Sequence, residues 1–592
     1  MKANPSVSAA RVIVQALAAL GVRDAVLAPG SRSAPLAYAL ADAADNSRGA
    51  DDAAWSSTSP QIPAISLQVR IDERSAGFLA LGIARGLAAR GEIRPVVVVT
   101  TSGTAVANLH PAVLEAHHSG IPLIVISADR PHEMRGVGAN QTTTQPGIFA
   151  SAVRFAADVP AATGRDGEDL DLRSLLSRAV SAAVGAHGDP PGPVHLNVAF
   201  RDPLTPGDSA WPMASEAGLT AVERETAEVE DLVLTAEPHT VVVAGDGAGP
   251  AARELAEAHG WPLLAEPSSG ARTGRLAIGP YRVLLGRLEL GGEIRRAIVV
   301  GRPTLSRPVQ QLLARRDVEV IAIGHGALWA EAPRGAAHVL RTIPRAWLMP
   351  TPSAGSGWLT RWIAAAVRAE TAIDEALRAE AADGAERRAG EAVVAGPALA
   401  RVVAASLEAA DVLVVGSSNP IRDLDLAGRP WSVARSPLVV ANRGLSGIDG
   451  TISTAAGVAI ALPERRVRAL LGDLTFLHDI GGLLRGTHEQ RFDLQVIVAN
   501  DDGGSIFATL EHGEAAAPVF ERVFATPHGA RLAQLCAGFG VAHAFVTDLE
   551  DLRAHLARPP RDLSVLEVAV DRSQRQAMHE RIAAAVAAAL DT

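Results

Sequence analysis

Two stretches of the chain, VRALLGDLTFLHD (467–479) and LQVIVANDDGGSIF (494–507), decide how it folds. Each is a short apolar run without polar alternation that ends in an acidic turn. Strands of this kind are buried on both faces, the situation of a parallel sheet covered by helices. The same unit recurs outward from here, in ADVLVVGSSNPIRD (410–423) and SPLVVANRGLSGIDG (436–450). In the first third, DAVLAPG (24–30), PVVVVTTSG (95–103) and PLIVISADRP (122–131) alternate with helical segments; HTVVVAGDGAGPAARELAEAHG (239–260), RRAIVVGRPTL (295–305) and VEVIAIGHG (318–326) form a middle set. The pattern predicts an α/β protein of three tandem doubly wound parallel-sheet domains. A polar, proline-containing passage, TPGDSAWPMASEAG (205–218), marks the first boundary, giving domains 1–204 and 205–354. The Ala/Glu/Arg-rich segment 355–396 reads as a solvated helical connector to a last domain, 397–592.

At 592 residues and 48% apolar composition the chain is neither disordered nor a single core. A formal charge of −10 argues against general nucleic-acid binding, which needs a basic surface. Lys2 is the only lysine, so a lysine Schiff base and a Walker-type phosphate loop are both set aside. Cys536 is the only cysteine, which excludes intrachain disulfides and iron–sulfur clusters; its surroundings, LAQLCAGFG, suit a small core residue. SVSAARVIVQALAAL carries Arg11 inside its apolar run and reads as a first helix. The longest uncharged run, 95–114, is broken by Thr, Ser, Gly, Asn, His and Pro, so no integral membrane segment is expected, and the expectation is a cytoplasmic protein.

Parallel sheets carry their ligand loops at the carboxyl ends of the strands. There lie APGSRS (28–33), TTSGT (100–104), SADRP (127–131), GSSNPIR (416–422), NRGLSGIDG (442–450), GDLTF (472–476) and NDDGG (500–504). Asp473 follows one strand, and Asn500 and Asp501 follow another, with Gly503 just beyond. A hard divalent cation takes oxygen ligands and shares them with a phosphate, so Asp473, a second side-chain oxygen and a freed backbone carbonyl would supply half its shell. GDGAG (245–249) has its glycines misplaced for a dinucleotide fingerprint and reads as a structural strand-to-helix turn.

The GD turn at 472–473 followed by the Asn-containing turn at 500–504 resembles the signature of thiamin-diphosphate enzymes. The resemblance implies thiamin diphosphate with Mg²⁺ or Mn²⁺ held by Asp473, Asp501 and the carbonyl of Gly503, where the family has asparagine in place of Asp501. It also gives a task to Glu73, which opens the helical stretch IDERSAGFLALGIARG (71–86): hydrogen bonding N1′ of the aminopyrimidine from a buried position, in place of an exposed helix-start acid. Further motifs, APGSRSAPL (28–36), DERSAGFLALG (72–82), TSGTAVANLHPAVLEA (101–116), GANQTTTQPGIFA (138–150) and NRGLSGIDGTISTAAG (442–457), are similar to those of the 2-succinyl-5-enolpyruvyl-6-hydroxy-3-cyclohexene-1-carboxylate synthases of menaquinone biosynthesis.

That family's chemistry is decarboxylation of 2-oxoglutarate and 1,4-addition of the succinyl-semialdehyde carbanion equivalent to isochorismate. The resemblance assigns the coenzyme to Glu73, Ser102, Gly103, Ile448, Gly472, Asp473, Leu474, Asp501 and Gly503. It assigns substrates to Ser31, Arg32, Arg130, Asn140, Gln141, Ser418, Arg422 and Arg443, with Arg307 as the basic residue of the middle domain and Ile506 and Phe507 as an apolar wall. Arginine-bearing loops suit dianionic substrates because a guanidinium fixes a carboxylate in orientation as well as charge. A homodimer or homotetramer is implied, since family members build the site from two subunits. The alternatives are another thiamin carboligase, such as an acetohydroxyacid synthase, or a non-catalytic scaffold of the same fold. No histidine is given a role, and Arg272 and Arg275 read as solvated surface residues.

Overall fold

The computed structural model describes residues 4–49, 62–207, 209–220, 232–235, 237, 239–324, 333–350, 357–387, 394–514 and 516–591. All the uninterrupted apolar runs form strands, and every pairing between strands is parallel. The first sheet contains β1 (Asp24–Leu27), β2 (Ser66–Val69), β3 (Val96–Thr100), β4 (Leu123–Asp129), β5 (Phe155–Val159) and β6 (Pro193–Ala199), in the order β2-β1-β3-β4-β6-β5. The second contains β7 (Thr240–Ala244), β8 (Leu263–Ala265), β9 (Arg296–Val300), β10 (Glu319–Ile323) and β11 (Ala336–Leu340), in the order β11-β10-β9-β7-β8. The third contains β12 (Asp411–Val415), β13 (Leu438–Val440), β14 (Arg466–Gly472), β15 (Leu494–Asn500), β16 (Ala542–Val546) and β17 (Leu563–Ala569), in the order β13-β12-β14-β15-β17-β16. The expected three parallel-sheet α/β architecture is what the chain adopts.

These elements form two compact units, one of Met1–Thr226, Asp449–Pro463 and Asp479–Phe492, the other of Ala227–Ile448, Glu464–His478 and Asp493–Thr592. In the second unit one apolar cluster runs from Val241 and Val299 through Val403 and Leu413 to Leu566 and Val568, joining two sheets in a shared core. The helix Gly357–Arg387 belongs to it: Trp358, Trp362, Ala369, Ile373 and Ala376 are buried. The expected solvated connector is therefore corrected over 357–380, because alanines at helical spacing between the two tryptophans and Ile373 make an apolar stripe that favours burial; residues 355–356 and 388–393 lie outside the described residues. Arg272 is likewise buried, not solvated. Its guanidinium donates to the carbonyls of Ala265 (2.7 Å), Gly279 (3.2 Å), Asp425 (3.1 Å) and Gly428 (2.8 Å), tying the second sheet to the third. GDGAG is the structural turn expected: a Cβ on Gly245 would lie 2.0 Å from the backbone of Arg302.

In the first unit the helix Glu73–Ala89 crosses the helix Thr451–Ala461 at two glycines. A Cβ on Gly82 would stand 2.1 Å from the Thr454 carbonyl oxygen, and one on Gly457 would stand 2.2 Å from that of Leu79. The small residues after Glu73 thus serve close helix packing. Asp479 caps the second of these helices, its carboxylate accepting from the Ser453 N–H (2.7 Å) and hydroxyl (3.1 Å). Burial pushes Asp479 up to about 7. Between the ordinary aspartate range and that value the unfolded chain has lost a proton that the folded chain keeps, so stability falls as pH rises through this window. Asp479→Asn should flatten this loss, with a melting temperature a few degrees above the parent's at pH 8 and no such gain at pH 4, checked by thermal unfolding across pH.

Candidate active site

The order β13-β12-β14 places a topological switch between β12 and β14, where loops diverge and leave a crevice. A cavity of about 170 Å³ opens there. Ser418 and Asn419 reach it from the end of β12, Gly472, Asp473 and Leu474 from the end of β14, and Asp501 and Gly503 from the end of β15. Ile448, Ile506 and Phe507 supply apolar lining. Six of the residues assigned from sequence to the coenzyme or cation, Ile448, Gly472, Asp473, Leu474, Asp501 and Gly503, thus share one cavity with Ser418, Ile506 and Phe507, which were assigned to substrate.

Asp473 is 2% exposed. Its Oδ2 accepts from the Gly503 N–H (2.8 Å) and from His528 Nε2 (3.1 Å), and its Oδ1 accepts from the Leu474 N–H (2.7 Å). His528 Nδ1 accepts from the Ala530 N–H (2.9 Å), so the ring proton sits on Nε2 and is donated to Asp473. Gly503 has φ +144°, and a Cβ there would lie 2.2 Å from the Ala525 carbonyl oxygen, so this turn requires glycine. Asp501 accepts from the Ser505 hydroxyl. Burial raises the proton affinity of both carboxyls, and Asp473 raises that of Asp501 further. Two acids held together out of water favour a proton or a cation between them. No group of three or more His, Cys, Asp or Glu side chains suited to a metal occurs among the described residues. Two carboxylates with a backbone carbonyl nevertheless fit a hard cation that completes its shell with phosphate and water.

Around this cavity the backbone of Ser418 is left-handed (φ +73°), and its carbonyl accepts from Arg422 Nη1 (2.8 Å). Arg443 is buried and donates to Thr304 Oγ1 (2.8 Å). Burial lowers the Arg422 pKa, and the neighbouring Arg443 lowers it further. Arg307 is exposed at the start of the helix Arg307–Leu313. Arg302, a middle-segment arginine passed over in the sequence, donates to the Gly444 carbonyl (3.3 Å) in the NRGLSGIDG loop.

In the first unit the loops after β1, β3 and β4 converge. Arg130 is buried and donates to the Ser102 hydroxyl and to the Gln141 carbonyl (3.2 Å), while Gln141 Nε2 donates to the Ser102 carbonyl (2.7 Å). Arg32 donates to the Phe200 carbonyl (2.9 Å), and its charge, after burial, lowers the Arg130 pKa. Ser31 and Asn140 are exposed on the same loops. Gln145, fully buried, was missed in the sequence: its Oε1 accepts from the Gly103 N–H (2.8 Å), and its Nε2 donates to Asn197 Oδ1 (2.8 Å).

Glu73 begins its helix and accepts from Asn108 Nδ2 (3.4 Å). It is half-buried in the single chain, and Gly77 behind it packs closely on Ala112, whose Cβ would stand 2.8 Å from a Cβ placed there. The helix is capped by Asp72, whose side chain accepts from the Ser75 N–H (3.1 Å). Glu73 is thus free of the capping duty its position suggested. It belongs to the first unit and does not line the cavity of the second.

Residues 7–152 match the family model of the thiamine pyrophosphate enzyme N-terminal TPP binding domain, and residues 426–568 match that of the C-terminal TPP binding domain. The chain is 51% identical over 598 residues to the 2-succinyl-5-enolpyruvyl-6-hydroxy-3-cyclohexene-1-carboxylate synthase of Kineococcus radiotolerans, covering 99% of this chain and 100% of the relative. It is 46% identical over 597 residues to the synthase of the same name from Renibacterium salmoninarum, covering 99% and 98%. The match to that of Paenarthrobacter aurescens is 46% over 604 residues, covering 99% and 97%. No helix among the described residues is long and apolar enough to cross a membrane.

Proposed function

This chain belongs to the 2-succinyl-5-enolpyruvyl-6-hydroxy-3-cyclohexene-1-carboxylate synthase family of thiamine pyrophosphate enzymes, and from that membership we propose its reaction and site. It decarboxylates 2-oxoglutarate and adds the succinyl-semialdehyde unit in a 1,4 sense to isochorismate, releasing CO₂, in menaquinone biosynthesis. Bound thiamin diphosphate supplies the carbanion chemistry. The observation that carries the reading is the convergence of Asp473, Asp501 and the glycine-requiring turn at Gly503 in one cavity at a switch point.

Asp473, Asp501 and the Gly503 carbonyl would hold Mg²⁺ or Mn²⁺ against the diphosphate. Gly472 and Leu474 would meet the diphosphate, and Ile448 would press on the coenzyme between its rings. The carboxyl of Glu73, from a second copy of the chain, would hydrogen-bond N1′ of the aminopyrimidine, with Ser102 and Gly103 beside it. The pyrimidine side is thereby given to 1–204 and the diphosphate side to 397–592, joined by 205–354 and 355–396, and the working unit is a homodimer or a homotetramer.

Both substrates are dianions at neutral pH. Arg32 and Arg130 on one side and Arg422 and Arg443 on the other would hold their carboxylates, helped by Ser31, Asn140, Gln141, Ser418 and Arg307, while Ile506 and Phe507 exclude water from the reacting carbon. Protein, Mg²⁺, thiamin diphosphate, 2-oxoglutarate and isochorismate, incubated together and resolved by mass spectrometry, should give the named product and CO₂. Adduct formation from pyruvate in preference to 2-oxoglutarate would instead favour an acetohydroxyacid-synthase-like activity, and cofactor binding with no CO₂ would favour a scaffold.

A further inference from the structure

The lining of the cavity includes a buried ion pair between Arg575 and Asp423. Arg575, from the helix Arg575–Asp591, donates through Nη1 and Nη2 to Asp423 Oδ1 and Oδ2 at 3.0 and 2.9 Å. Both residues are buried, at 6% and 3% exposure, and both line the cavity. The pair is packed against Gly396, where a Cβ would stand 2.5 Å from Asp423 Oδ2 and 2.6 Å from Arg575 Nη2. A bidentate pair this dry leaves little freedom to either partner.

The third donor of the same guanidinium points elsewhere. With the Asn419 amide turned to satisfy its neighbours, its Oδ1 accepts from Arg575 Nε (3.2 Å) and from the Ile506 N–H (3.1 Å), and the Ser505 hydroxyl lies 2.7 Å away. That hydroxyl is also in hydrogen-bond contact with Asp501. A chain of contacts therefore runs from Asp423 through Arg575 and Asn419 to the loop 501–507, which carries both an acid of the cation site and the apolar wall. Arg575 also cancels the charge of Asp423, so that of the cavity's three aspartates only Asp473 and Asp501 remain to meet a divalent cation.

We propose that Arg575, held by Asp423 and acting through Asn419, is a positioning residue that fixes the loop 501–507 in the geometry that binds the divalent cation and the coenzyme diphosphate. This rests on the proposed cofactor reading of the cavity. Partners that orient a metal ligand commonly govern metal affinity by ten- to a hundredfold. Arginine is required over lysine because only its fork satisfies Asp423 and Asn419 together.

The test is a Mg²⁺ titration at saturating thiamin diphosphate, followed calorimetrically, with the melting temperature as a control on folding. Removing Arg575 alone would strand a buried carboxylate, so the variants are Asn419→Ala, Arg575→Lys, the double variant Asp423→Leu with Arg575→Leu, and the double variant combined with Asn419→Ala. Asn419→Ala and Arg575→Lys keep a charge opposite Asp423 and should melt close to the parent, yet each should bind Mg²⁺ about tenfold more weakly. The double variant should show the same loss, and adding Asn419→Ala to it should cost nothing more, because both changes cut one chain of contacts. Unchanged affinity in Asn419→Ala and Arg575→Lys, or losses that add, would overturn the proposal; if the double variant does not fold, those two single variants decide it. A parent protein that binds neither Mg²⁺ nor thiamin diphosphate would overturn the cofactor reading itself.

Discussion

Glu73→Gln leaves the protein folded and lowers turnover about a hundredfold or more, in the range expected when a proton-sharing group is removed. The two explanations of this acid make opposite forecasts for stability and for rate. A helix-start carboxylate contributes up to about 2 kcal/mol through the macrodipole when partly buried, and the side chain that caps this helix is that of Asp72, not Glu73. The half-buried Glu73 carboxylate has Asn108 at 3.4 Å and, among the described residues, no buried ion pair to lose. An amide of the same shape can donate an N–H to N1′ but cannot share a proton with it, so the loss should fall on kcat and leave the melting temperature within a degree or two. Product formation under saturating coenzyme, measured beside thermal unfolding, separates the two. Near-parental turnover would remove Glu73 from the chemistry.

Asp473→Ala should abolish the metal dependence of coenzyme binding and weaken that binding by at least tenfold. The carboxylate is buried, ordered by the Gly503 and Leu474 N–H groups and by His528, and placed beside Asp501. In the absence of ligands the substitution relieves repulsion between two buried acids, so the ligand-free melting temperature should hold or rise. In the parent, Mg²⁺ with thiamin diphosphate should raise the melting temperature by mass action; in the variant that rise should be small. A thiamin diphosphate titration by calorimetry at a series of Mg²⁺ concentrations checks it, and parent-like curves would reject the assignment.

The strands are legible because strands covered on both faces are largely apolar, and β3, β4, β9 and β12, buried along their whole length, have no exposed face to show by alternation. The loops that follow them inherit a common direction from parallel pairing, which is why Ser418, Asp473 and Asp501 could be brought together from the sequence although they come from different strands. Part of what the sequence does not mark comes from partners supplied by helices, which look like ordinary surface residues. Arg575 in RSQRQAMHE, and Asp423 and Asn419 in SNPIRD, carry no local mark of burial, and their pairing spans parts of the chain far apart in sequence. His528 lies in a stretch without apolar periodicity. Gln145 lies within GANQTTTQPGIFA (138–150), but its role as a strut between Asn197 and Gly103 depends on a neighbour in β6. At the helix Gly357–Arg387 composition points to solvent, whereas the spacing of its alanines matches that of Trp358 and Trp362 and points to burial.

The most direct measurement is a structure of the protein with Mg²⁺ and thiamin diphosphate bound, in its solution assembly. The account predicts the cation between Asp473, Asp501 and the Gly503 carbonyl, the diphosphate upon it, and the Glu73 carboxyl of one copy within hydrogen-bond distance of N1′ of that same coenzyme. A coenzyme bound elsewhere, or bound in that cavity with Glu73 of every copy out of reach of its pyrimidine, would contradict it.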